Sequence, residues 1–129
     1  MNAPFLRRGL LVDGVISGAT GLLLLFGAAF LHELLGVPAT LLRTAGVILV
    51  PFAAALLYLA TRRSLSPGAV GTVIVSNVLW VLASVGLLIS GAITPSILGY
   101  GFIVMQAVAV GVFAEVQYVG LRRTRSMAA

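Results

Sequence analysis

The sequence contains no cysteine and a single histidine, His32. The lack of cysteine excludes a disulfide framework, a cysteine-ligated zinc site and an iron–sulfur cluster within this chain. A single histidine also excludes an intrachain bis-histidine haem and a histidine-rich metal site. We therefore expect neither a metal nor another cofactor.

Charged residues are scarce too, at 9% of the chain, against about 25% in a typical soluble domain. Hydrophobic residues make up 60%, and the mean hydropathy is +1.17. A water-exposed surface needs more charged residues than this chain has, because a large apolar patch would otherwise contact water. A water-soluble domain is therefore excluded. The basic residues are all arginine, lie in short groups beside apolar segments and match no nucleic-acid motif. We expect membrane lipid, and not nucleic acid, around this chain.

Four apolar runs are long enough to cross a hydrocarbon core of about 30 Å. They cover Leu10–Leu31, Leu41–Ala60, Ala69–Gly91 and Ile97–Leu121. Short polar connections separate them, and Ser66 followed by Pro67 is typical of a helix start. The pattern predicts one all-α domain over residues 1–129, an up-down-up-down four-helix transmembrane bundle.

Arginine placement predicts the orientation of this bundle. Seven of the eight arginines flank the spans on one side, at positions 7, 8, 62, 63, 122, 123 and 125. By the positive-inside rule that side is cytoplasmic, which places both termini inside a bacterial inner membrane. The exception is Arg43, for which we expect either a pair with Glu33 or a side chain that extends to the outer interface.

Two acidic residues lie within the spans, and intramembrane ionisable groups are candidates for function. Asp13 falls in the first turn of a helix that begins at Leu10, where the helix dipole favours a negative charge. Glu115 lies about 9 Å from the cytoplasmic end of the fourth span. One interpretation is that both pair with nearby arginines. The other is a proton, ion or ligand site built from Asp13, Asn77, Glu115 and Gln117.

Other polar side chains in the spans favour contacts between helices. Asn77 and Ser17 lie at matching depths, as do Gln106 and Ser84, and such groups commonly form hydrogen bonds across membrane helices. In the fourth helix, Gln106 and Gln117 share one face and Glu115 lies on the opposite face. We expect one of these faces to pack inside the bundle and the other to meet a second copy or a partner protein.

Small residues and a proline mark the packing surfaces. Gly14 and Gly18 form a GxxxG motif, with Gly21 one turn further on, and Gly111 lies in the fourth span. Such glycines allow two helix backbones to approach closely, either within the bundle or between chains. Pro51 removes a backbone hydrogen bond near the middle of the second span and predicts a kink.

The acidic residue in the first span and the dipeptide formed by Leu79 and Trp80 in the third give the chain a resemblance to small multidrug resistance exporters. In that family an acidic residue of the first helix is occupied in turn by a proton and a cationic drug. The resemblance implies this role for Asp13. More broadly, the chain resembles small four-helix inner-membrane proteins of bacteria, which implies no particular activity.

These observations favour a non-catalytic integral membrane protein. We expect a bundle that associates with itself or serves as an accessory subunit of a larger membrane complex, with lipid held beside its glycine-rich faces. The alternative is a proton-coupled exporter of small molecules that uses an intramembrane carboxylate. Enzymatic chemistry has little support, because no serine has a histidine to activate it on the same side of the membrane.

Overall fold

The computed structural model describes residues 4–128, and their side chains as far as residue 124. Over this range the chain forms five α-helices and no strand. They are α1 (Pro4–Phe26), α2 (Ala28–Leu35), α3 (Ala39–Thr61), α4 (Pro67–Ser90) and α5 (Ile97–Ala128). The four long helices are apolar and long enough to cross a membrane, in α5 over Ile97–Thr124. Over the described residues the prediction of an all-α fold with four helices long and apolar enough to cross a membrane is confirmed.

The first predicted span differs from the structure at both ends. α1 begins at Pro4, because proline fits the first turn of a helix, where its missing N–H is not needed. Gly27 then separates α1 from α2; its backbone N–H still donates to the Leu23 carbonyl, at 2.7 Å. A Cβ at Gly27 would lie only 2.8 Å from that carbonyl oxygen. The expected single helix is therefore two, and Asp13 does not lie in the first turn.

The other helix boundaries follow local signals in the sequence. Ser66 caps α4 by accepting a hydrogen bond from the Ala69 N–H at 3.3 Å, and Pro67 is the first residue of the helix. This is the predicted start signal. α3 continues as a helix through Pro51, whose ring lies on the exposed side.

The helices pack as two close pairs, α1 with α3 and α4 with α5, with further contact between α1 and α5. Glycines make the first pair tight: a Cβ on Gly46 would lie 2.7 Å from the Gly21 carbonyl oxygen. Gly14 and Gly18 also face α3. A Cβ on Gly111 would lie 4.0 Å from a methyl group of Val81 on α4, an ordinary contact distance. The GxxxG motif thus packs within the chain.

At one end of the bundle, named here the arginine end, the start of α1 meets the ends of α3 and α5. The Arg7 guanidinium donates to the carbonyls of Ala60, in the last turn of α3, and of Arg62 and Arg63, which follow the helix. Arg123 of α5 lies over the Phe5 ring, 5.4 Å from its centroid. The side chain of Arg125 lies outside the described residues.

At the opposite end, the α2 end, Ser96 joins two helices. Its Oγ accepts from the Gly99 N–H at 3.1 Å and so caps α5. The same hydroxyl donates to the Leu34 carbonyl at 3.0 Å, and the Ser96 N–H donates to Leu35 at 2.9 Å. Arg43 and Glu33 are both exposed near this end, and the described side chains form no ion pair between them.

Candidate functional site

A buried polar network joins α1, α4 and α5 in the half of the bundle nearer the arginine end. At its centre is Asp13, which is fully buried. Ser17, one turn further along α1, donates to Asp13 Oδ1 at 2.9 Å. Asn77 of α4 and Gln117 of α5 donate to Oδ2 at 2.9 and 2.7 Å. Asn77 also donates to Gln117 Oε1 at 3.0 Å, so the three helices share one hydrogen-bonded unit.

All three donors to the carboxylate of Asp13 are neutral. The expected pairing of Asp13 with an arginine is absent among the described side chains. Arg7 is engaged by the end of α3, and Arg122 and Arg123 lie over the rings of Tyr118 and Phe5. The physical reason is the earlier start of α1, which places Asp13 nine residues and about 13 Å from the helix end.

The four residues of the predicted proton, ion or ligand site are not all together. The structure brings Asp13, Asn77 and Gln117 into contact and leaves Glu115 exposed on the outside of α5. Residues two positions apart on a helix differ by about 200° around its axis, so Gln117 and Glu115 must face opposite ways. The structure thus turns the glutamine face of this helix inward, with Gln117 buried and Gln106 partly buried.

A second polar group lies between α4 and α5 near mid-bundle. Gln106 Nε2 donates to Ser84 Oγ at 3.0 Å, which is the pair that matching depths predicted. Sequence reasoning missed the third member, Trp80, whose indole N–H donates to Gln106 Oε1 at 2.6 Å. The signal was available, because Trp80 and Ser84 lie one turn apart on the same face of α4. The predicted contact of Asn77 with Ser17 does not form; both bind Asp13 instead.

A groove of about 210 Å³ lies between α3 and α4 in the half of the bundle nearer the α2 end. It arises because α3 and α4 have little backbone contact with each other. Its lining comes from α1, α3, α4 and α5, and from Val37 in the connection between α2 and α3. Most of the lining is apolar, and Ile48 and Ala83 on its rim are exposed.

Polar atoms in this groove are few and neutral. Gln106, Ser84 and Trp80 contribute to one wall, Thr20 and Thr44 to the other, and the lining includes no charged side chain. Asp13 lies outside the groove and has no accessible surface. The groove therefore suits an uncharged apolar molecule, and the Asp13 network is a separate feature.

Compared with known proteins, the chain matches no family model, and no curated protein or solved structure is significantly similar to it.

Proposed function

We propose that this chain is a non-catalytic integral membrane protein that holds one apolar chain of a lipid or lipid-soluble molecule in the groove between α3 and α4. The observation that carries the proposal is the groove itself, an apolar depression on the surface of four helices that are long and apolar enough to cross a membrane. A molecule dissolved in the bilayer reaches such a groove laterally, between two helices.

The size and chemistry of the groove support a narrow ligand. Its volume of about 210 Å³ lies below the range of about 300–1,000 Å³ that is usual for pockets that hold drug-sized ligands. Leu41, Leu87 and Phe102 supply apolar surface from three different helices. In a bilayer this gives no hydrophobic gain over lipid tails, so a fixed occupant depends on shape complementarity and hydrogen bonds.

We also propose an up-down-up-down arrangement in a bacterial inner membrane with both termini cytoplasmic. The contacts of Arg7 with the end of α3, and of Arg123 with Phe5, support this by gathering arginines at one end. The chain lacks native cysteine, so Ser64→Cys and Thr94→Cys are usable probes. An impermeant maleimide should label only Thr94→Cys from the outside, and the reverse pattern would overturn the orientation.

The exposed face of α5 supports association with a second copy or with another membrane protein. Glu115 lies on that face within the candidate span, where an ionisable group is costly unless it has a partner or reaches the interface. Native mass spectrometry in mild detergent tests this part of the proposal. A monomer without bound protein, for both the wild type and Glu115→Gln, would count against it.

A proton-coupled exporter is the second candidate, favoured by the buried Asp13 carboxylate and its lack of a cationic partner. An exporter must bring its substrate and proton sites into communication, whereas Asp13 is sealed and lies outside the groove. This separation is why we rank the exporter second. Substrate uptake into vesicles whose pH profile is the same in Asp13→Asn and the wild type would eliminate it.

The groove proposal is testable through Trp80, because it is the only tryptophan in the chain and it lines the groove. A single-chain probe that carries bromine should quench its fluorescence saturably at a low mole fraction in vesicles. Ala83→Phe fills the rim of the groove and should abolish saturable quenching. The matched control is Ala54→Phe, an exposed position on α3 outside the groove, and it should leave quenching intact.

Quenching that rises linearly with the mole fraction of probe, with no saturable part in the wild type, would mean that Trp80 meets only bulk lipid. The proposed function would then be rejected. Equal loss of saturable quenching in Ala83→Phe and Ala54→Phe would also reject it, because the effect would not depend on the groove.

A further inference from the structure

The groove contains one hydroxyl that has no hydrogen-bond partner, that of Thr20. Thr44, on the same wall of the groove, donates to the Thr40 carbonyl at 2.8 Å, as is usual for threonine in a helix. Other described serine and threonine hydroxyls that lie more than one turn inside a helix also form hydrogen bonds, at positions 17, 72, 76, 84 and 124. Among these interior hydroxyls only that of Thr20 is left without a partner.

An unpaired hydroxyl is costly in the hydrocarbon region, where no bulk water replaces the missing hydrogen bond. No buried side-chain nitrogen or oxygen among the described residues lacks a partner, so the Thr20 oxygen has accessible surface, and Thr20 lines the groove. The hydroxyl thus supplies a donor and an acceptor to whatever occupies the groove.

Gln106 supplies the complementary group from the other wall. Both hydrogens of its Nε2 are engaged, by Ser84 Oγ at 3.0 Å and by the Ile103 carbonyl at 2.9 Å. Its Oε1 accepts the Trp80 indole N–H at 2.6 Å, and a carbonyl oxygen has a second lone pair. The groove therefore presents a free donor on Thr20 and a free acceptor on Gln106.

We infer that the natural occupant is a neutral lipid-soluble alcohol, whose hydroxyl accepts from Thr20 and donates to Gln106 Oε1. This rests on the proposed function and specifies its ligand class. A hydroxyl is the smallest group that both donates and accepts. An ether or ester oxygen satisfies only Thr20, an alkyl chain satisfies neither group, and a charged headgroup meets no charged side chain in the groove.

The experiment compares two brominated probes of equal chain length, an alcohol and the corresponding alkane, which makes neither hydrogen bond, by saturable quenching of Trp80 in phosphatidylcholine vesicles. Their affinities are corrected for the partition of each probe into protein-free vesicles. In the wild type the alcohol should bind about threefold to tenfold more tightly, the effect of one to two hydrogen bonds in a membrane. Thr20→Val should lower this preference by about threefold, and Thr20→Ser should retain it.

Thr44→Val is the matched control, because Thr44 also lines the groove but its hydroxyl is already bonded to Thr40. It should leave the preference for alcohol unchanged. If both probes quench saturably with equal affinity, or if Thr20→Val and Thr44→Val lower the preference equally, the inference is wrong and the proposed function stands. If neither probe gives saturable quenching, the proposed function itself fails.

A hydroxyl of this kind can belong to a single-chain alcohol or to a diacylglycerol. A second pair of brominated probes, diacylglycerol and its deoxy analogue, in which a hydrogen atom replaces the free hydroxyl, separates these sources. Stronger saturable binding of the single-chain alcohol would assign the site to free alcohols, and stronger binding of the diacylglycerol would assign it to glycerolipids. Either result supports the inference if Thr20→Val lowers the preference for the hydroxyl-bearing probe. If Thr20→Val lowers that preference in neither probe pair, the inference is overturned.

Discussion

The buried Gln117 and the partly buried Gln106 on α5 allow the contribution of the Asp13 carboxylate to be measured by a matched pair of substitutions. Gln117→Leu removes the 2.7 Å donor to Asp13 Oδ2 and the acceptor of the Asn77 hydrogen bond. Gln106→Leu removes the bonds to Trp80 and Ser84, whose groups are neutral. The same side chain is replaced on the same helix, so the two variants differ mainly in whether the lost partner is a carboxylate.

The expected costs differ because hydrogen bonds to charged groups are stronger. Loss of such a bond costs about 1.5–3 kcal/mol of unfolding free energy, whereas neutral hydrogen bonds between membrane helices average about 0.6 kcal/mol. We therefore expect Gln117→Leu to cost about 2–3.5 kcal/mol and Gln106→Leu about 1 kcal/mol. The new leucines add little, because lipid tails are as apolar as leucine.

Reversible unfolding in mixed micelles, followed by circular dichroism, gives these free energies. A double-mutant cycle with Asp13→Asn then isolates the interaction of Asp13 with Gln117, for which we expect a coupling above about 1 kcal/mol. If Gln117→Leu costs no more than Gln106→Leu, or if the coupling is close to zero, the carboxylate adds no special strength to the network. The proposed role of the Asp13 network in joining α1 to α4 and α5 would then have to be abandoned.

Two further predictions concern the ends of the bundle. Gly99→Ala should prevent correct packing at the α2 end and lower stability by about 2 kcal/mol or more, because its Cβ would overlap the Leu35 carbonyl oxygen. Gly101→Ala, two residues along α5 and in open space, should be neutral or slightly stabilising in the same unfolding assay. Arg7→Gln should cost about 1–2 kcal/mol by removing the donor to the carbonyls of Ala60 and Arg62 at the end of α3. Arg8→Gln, at an exposed position on the same turn, should cost less than about 0.5 kcal/mol; equal costs would show that the Arg7 contacts add no stability.

The sequence alone was enough to predict four membrane-crossing helices, because hydrophobicity over about 20 consecutive residues is a local property. Local chemistry likewise predicted the start of α4 at Ser66 and Pro67. It also placed Gln106 and Gln117 on one face of α5 and Glu115 on the opposite face, since this requires only the helical period. The separation of α2 from α1 was missed because the apolar run continues without change through Gly27.

The partners of Asp13 and the existence of the groove were decided by the tertiary structure. Both depend on how each helix is rotated about its axis and on which pairs lie close, and these are settled by contacts between distant residues. The glycines of α1 allow α3 to pack closely against it, and α4 packs on α5. The space that remains between α3 and α4 forms the groove. Depth along a helix can be counted from the sequence, and it correctly paired Gln106 with Ser84. The direction in which Asp13 and Thr20 point relative to the other helices follows only from the packed bundle, because no local pattern encodes it.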